Sequence, residues 1–234
     1  MKRKVHHMKK QNRQTKRNLK GLWRAVCFLG AFCAWTAAVK TIDVRPVGPL
    51  ESEVGFAALN SLFHRATGVN WFLYHLTDWL SLIPLGIVLG FAIFGLRQWI
   101  GRKKLGLVDG DILALGGFYA LVLLAYLLFE VWAVNYRPVL INGVLEASYP
   151  SSTTMLMLCV MPTAAVQLRS RIQNKTARQW SLASLLCFTA FMVIGRILSG
   201  VHWITDIIGG ILLSASLVEL YRWTLYFNKS ANCD

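Results

Sequence analysis

Charge is scarce in this sequence, and negative charge most of all. Only 15% of its 234 residues are Asp, Glu, Lys or Arg, and 11 acids stand against 25 Lys plus Arg, for a formal net charge of +14. So little charge beside 55% hydrophobic residues excludes an ordinary soluble domain. Metal-ligand spacing is also missing. Cys27, Cys33, Cys159 and Cys187 fall inside long apolar runs and Cys233 lies in the C-terminal tail, so they read as small apolar packing residues. The adjacent His6 and His7 point apart on any regular backbone, and no cofactor is implied. Neither half of the chain repeats the other, which argues against a transporter built on internal symmetry.

What is present is a set of long apolar runs, at 21–39, 72–96, 112–134, 152–168, 181–198 and 207–227, each of a length to cross a bilayer. The expectation is an all-α fold, a polytopic membrane bundle of six transmembrane helices. A basic tail, 1–20, would precede a membrane domain, 21–228, and a short tail, 229–234, would follow it. The first tail holds nine Lys or Arg and no acid. A basic run directly before an apolar segment marks a cytoplasmic flank, so a membrane surface is expected there and no nucleic acid. The first run reads as an uncleaved signal anchor.

Alternating six spans from a cytoplasmic N-terminus leaves only Lys40, Arg45, Arg65, Arg137 and Arg196 on the outer side, with the remaining loop and tail cations inside. That bias places the protein in the cell membrane as a multi-pass chain whose outer loops face away from the cytoplasm. In the first outer loop, Val54, Ala58, Leu59, Leu62, Phe63 and Ala66 recur at helical spacing, predicting an interfacial helix. His64, His75 and Asp78 lie near the same boundary, and any one of them is placed to touch an outer site.

Three outer segments carry chemistry. Glu130 to Pro138 ends the third span and sets Arg137 at its rim. Ser151, Ser152 and Thr153 open the fourth span, where hydroxyls cap a helix and free N–H groups seat an anion. The third segment runs from Gly195 to Asp206. If Ser199-Gly200 ends one helix and the next begins near Val201, His202 and Asp206 share a helical face, and a carboxylate on one imidazole nitrogen leaves the other free as base or nucleophile. Taken singly, each has a plain structural reading as headgroup anchor or helix cap. Together they supply two guanidinium clamps, N–H donors and a nucleophile, the requirements of phosphoryl chemistry.

From the third span onward the chain resembles the phosphatidic acid phosphatase type 2 superfamily, integral-membrane lipid phosphatases related to vanadium haloperoxidases. That family shows Lys, six residues, Arg-Pro; then Pro-Ser-Gly-His; then Ser-Arg, five residues, His, three residues, Asp. Arg137-Pro138, Pro150-Ser151 and Arg196, His202 and Asp206 match in order. The resemblance implies that His202 attacks phosphorus to give a phosphohistidine, that Asp206 orients it, and that Arg137, Arg196 and Ser151, with Ser152 beside it, hold the phosphate without metal or other cofactor.

Glu130 stands where the family has Lys, Ser152 where it has Gly, Thr153 where it has its leaving-group acid His, and Gly195 where it has Ser. Glu130 precedes Arg137 by seven residues, about two turns of one helix. It is therefore expected either to pair with an arginine or to act as the replacement acid. The implied substrate is a lipid phosphate or a polyprenyl diphosphate at the outer leaflet, the latter favoured because its leaving group needs no proton. The alternatives are a catalytically impaired relative that binds lipid phosphates, and a lipid transporter.

Overall fold

The computed structural model describes the backbone of residues 2–231 and the side chains of residues 19–227. The side chains of the basic tail before Leu19, and Cys233 with the rest of the tail beyond 231, lie outside the described residues. The architecture is all-α: α1 (Lys2–Thr41), α2 (Ala57–Thr67), α3 (Trp71–Leu80), α4 (Leu82–Arg102), α5 (Gly110–Val131), α6 (Ser152–Arg171), α7 (Lys175–Ser199) and α8 (Ile204–Ala231).

Among the described residues, five helical stretches are long and apolar enough to cross a membrane: Leu19–Thr41, Trp71–Arg102, Gly110–Val131, Lys175–Ser199 and Ile204–Phe227. The expected span at 152–168 is α6, whose 20 residues reach far enough but whose composition is more polar. Its surroundings account for that. Half of it, from Thr153 to Gln167, is buried by protein, so it needs no lipid-facing stripe and carries Thr163 and Gln167 inward. By contrast α4 buries only Pro84 and turns Leu85, Leu89, Ile93 and Leu96 outward. The second span is broken at Ser81. Pro84 has no N–H to give the carbonyl of Leu80, and the Ser81 hydroxyl bonds back to Asp78 at 2.5 Å. Cys27, Cys33 and Cys187 face outward, and of the four described cysteines only Cys159 is buried.

The core lies where α1 and α8 run together with α5 and α6. Phe32 and Val39 of α1, Leu115, Phe118 and Val122 of α5, Met155 and Cys159 of α6, and Leu213, Leu217 and Tyr221 of α8 form one buried cluster. Lipid tails are as apolar as these side chains, so packing and hydrogen bonds hold the helices together more than water exclusion does. The Ser216 hydroxyl donates to Ala25 O at 2.9 Å, and Thr36 and Tyr149 share a 2.7 Å hydroxyl contact.

One end of the bundle gathers the ends of α1, α5 and α7, the starts of α3, α6 and α8, and α2. α2 forms where the interfacial helix is expected, with Ala57 and Asn60 buried and Leu59 and Leu62 exposed. Between α5 and α6 the chain folds into a narrow hairpin. Asn142 and Gly143 have φ of 50° and 78°, as a two-residue type I′ turn requires, and Ile141 and Val144 exchange both backbone bonds.

α7 stops at Ser199 because Gly200 takes the left-handed conformation, φ +67°. Its Cα also lies against the loop between α2 and α3, where a Cβ would stand 1.8 Å from Gly68 O. Gly200→Ala is therefore expected to cost about 1–3 kcal/mol or more, read as a lower thermal midpoint in detergent. Gly116→Ala, whose Cβ would meet nothing within 4 Å, should leave that midpoint unchanged or raise it.

Candidate active site

α8 begins at Ile204, so His202 sits in the turn before it and does not share a helical face with Asp206 as expected. The reason is local. Asp206 accepts the Trp203 N–H at 3.0 Å through Oδ2, the reach of a third-position acid back to the residue that caps its helix, and this fixes the start of α8 after Val201. His202 Nδ1 and Asp206 Oδ2 are 3.9 Å apart, an electrostatic contact and not a hydrogen bond.

His202 Nε2 faces both expected arginines, with Arg137 Nη1 at 3.4 Å and Arg196 Nη2 at 3.5 Å. Burial, then the charge of Arg137, then that of Arg196, push the imidazole well below its ordinary pKa of 6.5, with a backbone contact to Ser148 acting the other way. It is neutral at neutral pH, with Nε2 surrounded by donors.

Arg196 is almost wholly buried on the last turn of α7. It donates to Thr77 Oγ1 at 3.3 Å, lies over the Tyr74 ring at 5.2 Å, and has Asp78 Oδ1 only at the 4.0 Å edge of an ion pair. Of the three outer residues near this boundary, Asp78 thus approaches the site. His64 packs its ring on Trp203, and His75 packs on Trp71 and Tyr74.

α5 ends at Val131, leaving Glu130 on its last turn and Arg137 in the hairpin, so the two do not lie along one helix. Hydrogen bonds to the hairpin explain the early end. Asn135 O accepts Ser148 N at 2.9 Å and Arg137 N donates to Glu146 O at 3.0 Å, pairings unavailable to a continuing helix. The acid beside Arg137 is Glu146, with Nε and Oε2 3.0 Å apart as an ion pair but without hydrogen-bond alignment.

A cavity of about 250 Å³ opens here, lined by Glu130, Arg137, Glu146, Ser148, Ser152 and His202 among others. Ser151, Thr153, Arg196 and Asp206 do not line it. Ser151 is fully buried and its hydroxyl accepts from Thr154 at 3.1 Å, so of the paired serines it is Ser152 that reaches the open space. Thr153 is buried beside it on the first turn of α6. Among the described residues no three His, Cys, Asp or Glu side chains group to hold a metal ion.

Three supporting residues were not singled out by sequence reasoning. Asn135 donates to Asp206 Oδ1 at 3.2 Å and lies 3.5 Å from Thr205 Oγ1. Asn60 donates to Thr205 Oγ1 at 3.0 Å and to Gly55 O at 2.7 Å. Glu146 follows Asn142-Gly143, a hairpin signal between apolar residues that was available in the sequence. Asn135→Ala strips a buried carboxylate of one of its donors and is expected to cost about 1–3 kcal/mol, measured as a lowered unfolding midpoint in detergent.

No curated protein matches this chain. Among solved structures it is similar to a transmembrane PAP2-type phosphatidylglycerolphosphate phosphatase from Bacillus subtilis, with 18% sequence identity, a TM-score of 0.61, and coverage of 86% of this chain and 94% of that one. The likeness is one of fold. The PAP2 superfamily profile matches residues 130–230, the stretch that holds every site residue expected from the sequence. Motif order and family profile coincide there: residues 130–230 match the PAP2 superfamily, within a helical membrane bundle of similar fold.

Proposed function

We propose that the protein is a membrane phosphohydrolase that removes a terminal phosphate from a lipid, monoester or diphosphate, through a phosphohistidine on His202. The observation that carries this reading is the neutral, buried imidazole whose Nε2 lies 3.4 and 3.5 Å from two guanidinium groups at the edge of a polar cavity. A lone pair facing two cations is the arrangement an incoming phosphate completes, since its oxygens take the N–H donors and its phosphorus meets the nitrogen.

In the first step the Nε2 lone pair forms a bond to phosphorus as the bond to the leaving oxygen breaks, with Arg137 and Arg196 holding the non-bridging oxygens. Water then attacks phosphorus, the P–N bond breaks, and phosphate leaves. Asp206 stabilises positive charge on the ring across its 3.9 Å separation and anchors the turn that presents it. Ser152 adds a hydroxyl at the cavity wall.

His202→Ala is expected to abolish phosphate release from dioctanoyl phosphatidate and from a polyprenyl diphosphate in detergent, and to abolish the acid-labile phosphoprotein trapped by rapid quench. Asp206→Asn should lower the rate but leave a residue of it, because the nucleophile remains. Arg137→Lys and Arg196→Lys should both be poor, since an ammonium keeps the charge but loses the fork. Wild-type rates in His202→Ala would end this reading.

The depressed imidazole fixes the pH dependence. A nucleophile held neutral below its ordinary 6.5 keeps its lone pair as pH falls through that value, and loses it only at lower pH. The acid limb of kcat/KM is therefore expected below pH 6.5, and Arg196→Gln, which removes one source of the depression, should move it up toward 6.5.

The reading places the site at the outer leaflet of the cell membrane with the N-terminus in the cytoplasm, on the strength of the positive-inside bias. In a background without native thiols, Asn142→Cys in intact cells should react with a membrane-impermeant thiol reagent and Asn174→Cys should not. The reverse pattern would put the site on the cytoplasmic face.

A further inference from the structure

We propose that Glu146 supplies the proton to the leaving alkoxide, the part for which Thr153 has no group to offer; this rests on the phosphohistidine reading above. Three observations carry it. The hairpin fixes Glu146 opposite Arg137 through the backbone bond from Arg137 N to Glu146 O, and its carboxylate stands 3.0 Å from Arg137 Nε. The same guanidinium reaches His202 Nε2 through Nη1 at 3.4 Å, so one planar group separates carboxylate from nucleophile. Glu146 also lines the cavity with a side chain 38% exposed, whereas Thr153 is buried away from it.

In-line transfer puts the leaving oxygen on the side of phosphorus away from His202 Nε2, and Glu146, which lines the same cavity and is far more exposed than His202, is the acid we assign to it there. An incoming phosphate competes with Glu146 for Arg137. A phosphate monoester that arrives as its monoanion brings the proton with it, and hands it to the carboxylate that it displaces from Arg137.

The step balances as follows. The His202 lone pair bonds to phosphorus, the P–O bond to the lipid breaks, and the Glu146 proton passes to that oxygen, giving a lipid alcohol, phosphohistidine and the Glu146 carboxylate. Water then bonds to phosphorus as the P–N bond breaks and both its protons stay on the phosphate, which returns dihydrogen phosphate and neutral His202, while the Glu146 carboxylate regains its proton from solvent, carried in by the next monoester monoanion. Glu130 also lines the cavity, but it sits at the end of α5 and has no ion pair with Arg137.

The test uses the full-length protein in detergent micelles with two substrates. Dioctanoyl phosphatidate expels an alkoxide and needs a proton; p-nitrophenyl phosphate expels a phenolate and does not. Glu146→Gln is expected to lower kcat on phosphatidate by about 10²–10⁴-fold while changing kcat on p-nitrophenyl phosphate by less than about tenfold. Glu146→Asp, which keeps a proton to give, should recover at least about tenfold of the phosphatidate rate. An equal loss on both substrates, or a lower KM on both with kcat unchanged, would make Glu146 a counter-ion of Arg137 alone and overturn the proposal. So would a phosphatidate-selective loss in Glu130→Gln with none in Glu146→Gln. His202→Ala run in parallel separates the two readings: activity surviving there removes the phosphohistidine itself, whereas its loss with no selectivity in Glu146→Gln removes only the acid.

Discussion

The start of α8 is tied by hydrogen bonds between buried groups, and the geometry at the end of the bundle that carries His202 depends on that knot. Asp206 takes the Trp203 N–H and the Asn135 amide on its two oxygens while its own carbonyl accepts Ser151 N at 3.1 Å. Thr205, next to it, joins Asn60 of α2 to Asn135 and gives its carbonyl to Trp35 Nε1 at 3.1 Å. Four segments far apart in sequence thus meet on two adjacent residues. In a low-dielectric interior an unpaired member would cost the desolvation of a polar group, so the network favours one arrangement over near alternatives. His202 is positioned by inheritance, since it occupies the turn this knot fixes.

Above the knot the charges are left incomplete. Arg137 has Glu146 beside it, but Arg196, nearly sealed from solvent, has only Asp78 at 4.0 Å. Leaving a buried guanidinium without a close carboxylate destabilises the protein, and an aromatic face and a hydroxyl offset only part of that. An anion bound at His202 would satisfy both arginines at once. Strain of this kind is recovered on binding, and a site that stores it favours phosphate over a neutral headgroup.

Much of the bundle was legible because membrane helices declare themselves by length and apolarity, and the break at Ser199-Gly200 because glycine suits the left-handed cap. A helix does stand at the run expected as the fourth span, but α6 is not among the stretches apolar enough to cross a membrane: its apolar residues serve protein contacts, and its polarity reflects its buried position. That Arg196, His202 and Asp206 belong to one place was readable from their spacing. Their local geometry was not, since a helix beginning at Val201 and one beginning at Ile204 have the same residues, and only the Asp206 contact with Trp203 decides between them. Glu146 was hidden more deeply. Counting outward from the Asn142-Gly143 turn sets Arg137 opposite Ser148, whereas the stretch from Pro138 to Leu140 bulges and slides Glu146 into that place.

That slip bears on the choice of substrate. The argument for a diphosphate rests on the absence of an acid at Thr153, and it holds only if nothing else at the cavity can protonate a leaving oxygen. Glu146 and Glu130 both line the cavity, and Arg137 and His202 line it with them. A diphosphate would set its second phosphate, a leaving group that needs no proton, beside those carboxylates. A monoester would direct an uncharged glycerol or alcohol oxygen there instead. If Glu146 supplies the proton as proposed, the reason for preferring a diphosphate lapses, and a lipid phosphomonoester is the substrate that proposal favours.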